Sequence, residues 1–194
     1  MIDSKILKKA IKDKFGHSDF SLFSAPGRIN LIGEHTDYNG GFVLPASIDK
    51  CISLAIVPNG TSTVNLYSID YDESVSFDVD GAKPEQQWAS YVYGVIQEMK
   101  KRGASPKGFD AVFGGDIPLG AGMSSSAALE SVFGTALNTI FKLGFDKREL
   151  AKIGQMTEHN YVGVRCGIMD QFASLFGEAG KVIRLDCRSL EYEL

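Results

Sequence analysis

A chain of 194 residues, 44% of them apolar, can bury a core of its own and is read as one domain spanning 1–194. Its formal net charge is −4 and its longest basic run is Lys100-Lys101-Arg102, which argues against a nucleic-acid or anionic-membrane surface. Three widely spaced cysteines without a CxxC pair suggest neither a disulfide framework nor a zinc site, and no apolar run reaches membrane-spanning length. The expectation is a cytoplasmic chain without a signal peptide, monomeric or weakly oligomeric, that binds neither nucleic acid nor membrane.

In chain order, residues 4–15 predict an amphipathic helix with Ile6, Leu7, Ala10, Ile11, Lys14 and Phe15 on one side and Gly16 as its stop. A short strand through Phe20 and Leu22 leads into a turn-rich segment, 25–41, that crowds Arg28, Asn30, Glu34, His35 and Asp37 beside apolar Ile29, Leu31 and Ile32. Packing alone does not call for so many polar groups, and a polyol or metal site is the sharper reading. From Cys51 the pattern is β: Ile52, Leu54 and Ile56 alternate, Pro58-Asn59-Gly60 turns, and Val64 and Leu66 return, which predicts a hairpin. Val75, Phe77 and Val79 make another strand. Residues 86–102 predict a helix whose apolar stripe, Trp88, Tyr91, Val92, Val95, Ile96 and Met99, reads as core, with a solvated basic end.

Phe109, Ala111 and Phe113 alternate as a half-buried strand before a glycine- and serine-rich loop, Gly114 to Ser126, and a helix carrying Ala128, Val132, Ala136, Leu137 and Ile140. Strand, glycine loop, helix is what a phosphate site requires, because small residues let backbone N–H groups converge at a helix start. The serines can cap that helix or reach phosphate and metal. No lysine follows the glycines, so a Walker A loop is excluded; a dinucleotide fingerprint fits only in part, and no Gly-x-Ser-x-Gly elbow is present. Asp146 to Glu149 has capping-box spacing for a further helix that ends near Glu158 and His159. A short helix follows Gly167, and Val182, Ile183 and Leu185 predict a last strand running on toward Asp186 to Leu190. Early strands and later helices suggest an α+β domain.

Pro118 to Ala127 resembles the second motif of the GHMP small-molecule kinases, and Gly27 to Pro45 is similar to the galactokinase signature, as Cys166 to Phe172 is to that family's catalytic segment. The resemblance implies a GHMP kinase N-terminal domain of the ribosomal protein S5 domain 2-like fold, with a left-handed crossover, and an ATP- and Mg²⁺-dependent galactokinase making galactose 1-phosphate. Since that family runs to about twice this length, a two-domain size, it also implies an N-terminal half whose C-terminal domain is absent, inactive alone. It assigns Asp170 as catalytic base with Arg28 beside it. Galactose contacts fall to Glu34, His35, Thr36, Asp37 and Gly167, phosphate contacts to Gly120, Ala121, Gly122, Met123, Ser124, Ser125 and Ser126, and Mg²⁺ ligation to Ser126 and Glu158. The rivals are a non-catalytic galactose/ATP-binding regulator, an N-acetylgalactosamine kinase, and a metal hydrolase built on His35, Asp37 and His159, for which no metal-binding spacing exists.

Overall fold

The computed structural model describes residues 3–118 and 120–194, so Leu119 of the glycine loop lies outside the described residues. Helix α1 (Ser4–Phe15) is capped by Asp3 and stopped by Gly16 in the left-handed conformation, φ 77°. It buries Leu7 and Ile11 against Ala55 and Val112, while Ile6, expected on the same side, points to solvent.

Five strands form one sheet in the order β1 (Ser21–Asn30), β3 (Pro45–Pro58), β6 (Phe109–Gly115), β4 (Thr63–Ser68), β5 (Glu73–Asp78). Only β4 and β6 run parallel, joined by a crossover that contains β5 and α2 (Gln87–Lys101). The hairpin expected across Pro58-Asn59-Gly60 does not form. β6 inserts between β3 and β4, pairing Leu54 with Phe113 on one side and Leu66 with Ala111 on the other. The reason is burial: Phe109, Ala111 and Phe113 face one core and Val112 the other, so β6 is a central strand and not half-buried.

One face of the sheet carries the main core, filled by α2, α3 (Ser125–Ile140) and α4 (Lys147–Thr157) through Trp88, Val92, Val95, Val132, Phe133, Leu137 and Ile153. Helix α4 opens with the expected capping box between Asp146 and Glu149. It passes into a five-residue π turn, Glu158–Val162, closed by Gly163. Helix α5 (Met169–Phe176) packs with β2 (Phe42–Val43), β7 (Arg184–Asp186) and β8 (Tyr192–Glu193) as a second small core around Val43, Phe172 and Leu185. Strand β7 stops at Asp186, where the chain turns and β8 returns alongside it, so the expected extension toward Leu190 is a hairpin connection. Among the described residues no helix is long and apolar enough to cross a membrane.

Candidate active site

The segment expected as a loop after Leu22 is strand as far as Asn30. Pro26 and Gly27 sit at a β-bulge on the sheet's edge, where a proline removes no ladder bond that the sheet needs. The bulge re-aims Arg28. Its main-chain N–H donates to Met123 O at 3.2 Å, and Gly27 leaves no room for a side chain, since a Cβ there would lie 2.6 Å from the same oxygen. Strand β1 and the glycine loop are thereby pressed together.

Across that junction Arg28 meets Asp170, 142 positions away in sequence, through two parallel bonds: Nε to Oδ1 at 2.7 Å and Nη2 to Oδ2 at 2.8 Å. A planar fork on a carboxylate fixes orientation as well as charge. The third guanidinium nitrogen, Nη1, donates to Gly122 O in the loop. Asp170 stands in the first turn of α5, where the helix dipole favours an anion. Helix α5 is held on the bulge by Ser174 Oγ, which donates to Pro26 O at 2.8 Å, and by Ser47 Oγ, which donates to Ala173 O at 3.0 Å.

Ser124 takes the N-cap position of α3 but caps nothing. Its backbone is left-handed, φ 56°, and its hydroxyl donates to Asp170 Oδ2 instead, so of the alternatives open to the serines Ser124 does not take capping. Gly120 and Gly122 have φ of 73° and 69°, a conformation that favours glycine. Arg28, Gly120, Gly122, Met123, the three serines and Asp170 line one cavity of about 320 Å³. Ser125 and Ser126 also border a second cavity of similar volume, walled by Tyr71, Trp88, Tyr91, Phe113 and Leu129, with Asp70 and Gln87 at its edge. Trp88 is core, as expected. Its ring nevertheless carries an exposed Tyr71 stacked parallel to it at 6.3 Å, and this wall was missed in the sequence because Tyr71 belongs to a turn far from α2.

The 33–41 loop brings Glu34 and Asp37 to the same side. Burial pushes the Asp37 carboxyl up from its ordinary range, and the charges of Asp170 and Glu34 push it the same way, against backbone bonds that lower it. Glu34 Oε1 accepts from Asn30 Nδ2 at 2.8 Å. Gly167 is packed under Asp37. His35 Nδ1 pairs with Tyr38 Oη at 2.6 Å. The Thr36 hydroxyl turns inward to Gly33 O at 2.7 Å and Phe42 O at 2.8 Å, closing the loop. Its one hydroxyl proton is spent on backbone.

Glu158, at the start of the π turn, is buried, and so is Glu130, one helical turn beyond Ser126 on α3. Burial first, and then the charges of Glu158 and Asp170, hold the Glu130 carboxyl well above the usual range. Glu130 went unnoticed in the sequence; its only signal was an acid inside the apolar stretch that follows Ser126. His159 is turned to Cys166 O at 2.8 Å, and among the described residues no three His, Cys, Asp or Glu side chains gather as a metal cage, so nothing supports the hydrolase arrangement.

Residues 90–178 match the family described as GHMP kinases N terminal domain, and residues 10–58 match the galactokinase galactose-binding signature. The chain corresponds to the N-terminal region of the galactokinase family. Curated galactokinases from Chloroflexus aurantiacus and Lactococcus lactis are 39% and 41% identical to it, over 99% and 100% of the chain. The chain spans about half the length of those relatives, 50% and 51%. The crystal structure of Lactococcus lactis galactokinase complexed with galactose superposes with a TM-score of 0.93 at 42% identity, covering 100% of this chain and 51% of that one. The Methanococcus jannaschii mevalonate kinase shares the fold, at a TM-score of 0.74 and 18% identity over 91% of this chain and 56% of its own.

Proposed function

We propose that the full-length enzyme, meaning this region together with the other half that its relatives possess, transfers the γ-phosphoryl group of ATP to the anomeric hydroxyl of α-D-galactose. The products are galactose 1-phosphate and ADP. The observation that carries the proposal is the Arg28–Asp170 fork set into the wall of the glycine-loop cavity. It supports the reading because a carboxylate and a fixed cation stand together at the glycine loop, and phosphoryl transfer needs a proton acceptor and a cation beside its phosphate cradle.

In this reading Glu34 and Asp37 accept hydroxyl bonds from the sugar, His35 offers its remaining ring nitrogen, and Gly167 gives Asp37 its place. Carboxylates at fixed positions separate an axial from an equatorial hydroxyl, because the wrong epimer leaves a buried acceptor unpaired. Asp170 orients the anomeric hydroxyl and takes its proton as the oxygen–phosphorus bond forms and the bond to the ADP oxygen breaks. Arg28 holds the carboxylate in line and stabilises the charge that develops on the transferring group. Backbone N–H groups from Gly120 to Ser126 hold the phosphates, and the aromatic-walled cavity beside Ser125 and Ser126 takes the base.

The residues fit a magnesium ion. Glu130 Oε1 is buried without a hydrogen-bond partner, and no ion pair among the described residues reaches Glu130 or Glu158, so neither buried carboxyl has a cationic partner. Ser126 and Glu158 are the hard oxygen donors that would hold the ion, which takes few protein ligands alongside phosphate. Bound there, the ion supplies Lewis-acid charge neutralisation of the phosphates. The free cysteines Cys51, Cys166 and Cys187 fit a reducing cytoplasm.

A coupled ADP-release assay on the full-length enzyme with galactose, glucose and N-acetylgalactosamine tests the proposal. Turnover that prefers galactose, with phosphorus attached at the anomeric oxygen, is expected. Equal turnover of all three, or none with galactose, contradicts it.

A further inference from the structure

Glu98 is a further buried acid, about two helical turns along α2 from Tyr91 of the aromatic-walled cavity, and only 3% of it is exposed. Its basic neighbours Lys101 and Arg102 form the solvated helix end that the sequence predicts and also reach back to it. Lys101 Nζ donates to Oε1 at 2.7 Å, and Arg102 Nη1 donates to Oε2 at 2.7 Å and to the Glu98 carbonyl at 2.8 Å. Burial alone would raise this carboxyl; the bonds from Lys101, Arg102 and Asn160 outweigh it and leave it below the ordinary value.

The bond from Asn160 is the informative one, Nδ2 to Oε1 at 2.9 Å, because Asn160 is the middle residue of the π turn that begins at Glu158. Other contacts on the same side converge on that turn. Lys83 Nζ donates to Tyr161 O at 3.0 Å, Lys101 Nζ stands 4.9 Å over the Tyr161 ring, and Tyr93 meets that ring edge-on at 5.7 Å. Gly94 on α2 makes the approach possible, since a Cβ there would lie 2.5 Å from Thr157 Cγ2 and 3.1 Å from Tyr161. A π turn is rare and weakly favoured by its own backbone, and one extra residue in the turn changes the direction in which its first side chain points. Here that first side chain is Glu158.

We propose that Glu98 is a positioning residue for the cation site: through Asn160 it holds the π turn in register and so keeps Glu158 aimed inward toward Glu130. The proposal rests on the reading of Glu158 as a cation ligand. It adds a support on α2 for a ligand at the end of α4, with Lys101 and Arg102 keeping the supporting acid charged where it is buried.

The test uses the full-length enzyme with a non-hydrolysable ATP analogue and Mn²⁺ as probe, its binding followed by the electron-paramagnetic signal of the free ion. Asn160→Ala changes an exposed residue and opens no core. It should weaken Mn²⁺ binding by about tenfold, the lower end of what loss of a ligand's outer support costs. KM for galactose should stay unchanged, and amide exchange should quicken over residues 158–164. Glu98→Ala should do the same, while Glu98→Gln, which still accepts the Asn160 bond, should restore most of the affinity. If Glu158→Gln loses Mn²⁺ but Asn160→Ala binds it like wild type, the positioning role is overturned and the Glu158 reading stands. If Glu158→Gln itself binds Mn²⁺ normally, that reading fails and the proposal fails with it.

Discussion

Asp37 rests directly on the backbone of Gly167: a Cβ at Gly167 would lie 2.0 Å from Asp37 Oδ2 and 2.2 Å from its Cγ. The glycine is therefore required by the place of a carboxylate, and the two segments proposed to meet the sugar, 33–41 and the approach to α5, are fitted to each other at this point. Space, and not backbone freedom, sets the requirement, because Gly167 does not adopt a positive φ.

Gly167→Ala should push Asp37 aside and raise KM for galactose while leaving nucleotide affinity intact. The expected size is that of Asp37→Ala, about ten- to a hundredfold, which corresponds to one lost bond to a charged group. Steady-state kinetics of the full-length enzyme checks it. An unchanged KM would show that Asp37 is not a sugar contact or moves at no cost.

The raised pKa of Asp37 gives a pH signature. The ionised carboxylate is the acceptor, so galactose affinity should fall as pH drops through a window that starts above the ordinary aspartate value. Asp37→Asn should remove that dependence. For stability the sign is opposite to the usual carboxylate: the folded chain holds this proton more tightly than the unfolded one, so falling pH through the window favours the fold at this group. Galactose titrations by calorimetry between pH 4 and 7, a span set by the reference carboxylate range, distinguish the two variants.

Asp110 behaves the other way. It lies on the α1 face of β6, where burial raises its carboxyl but bonds from Asn59, Asn65 and His17, at 2.8, 2.8 and 2.7 Å, outweigh this and lower it. Its contribution to stability is present above the unfolded aspartate pKa and is lost as pH falls through the lower folded value. Asp110→Ala should cost about 1–3 kcal/mol, because three half-buried donors lose their acceptor. Denaturant unfolding at neutral pH checks the loss. A wild-type midpoint would mean that water replaces the carboxylate freely.

The parts of the fold legible in the sequence were those that short-range chemistry decides. The Asp146–Glu149 capping box, the Gly16 stop and the α2 stripe depend on residues within a few positions of each other. What was not legible depends on distant partners. Pro58-Asn59-Gly60 carries turn chemistry, yet which strand pairs with β3 is decided by β6, about fifty residues on, and by its burial on both faces. The same holds at the site. The signature and the glycine loop are visible as motifs, but nothing local says that the Ser124 hydroxyl leaves its helix for Asp170, or that Thr36 turns to Phe42 O. Lys101 and Arg102 are solvated as expected, but nothing local says that they also pair with the buried Glu98 behind them.

The most direct test of the account is the turnover number of Asp170→Asn, alone and combined with Arg28→Lys, in the full-length enzyme with saturating ATP and galactose. Asparagine keeps shape and hydrogen bonding but cannot accept the proton, so kcat should fall by roughly 10²–10⁴-fold while ATP binding survives. Arg28→Lys keeps a charge and loses the fork, and should also lower kcat. Because the arginine acts partly through the aspartate that it holds at 2.7 and 2.8 Å, the double variant should lose much less than the product of the two single losses. A fully active Asp170→Asn enzyme, or losses that multiply in full, would contradict the account.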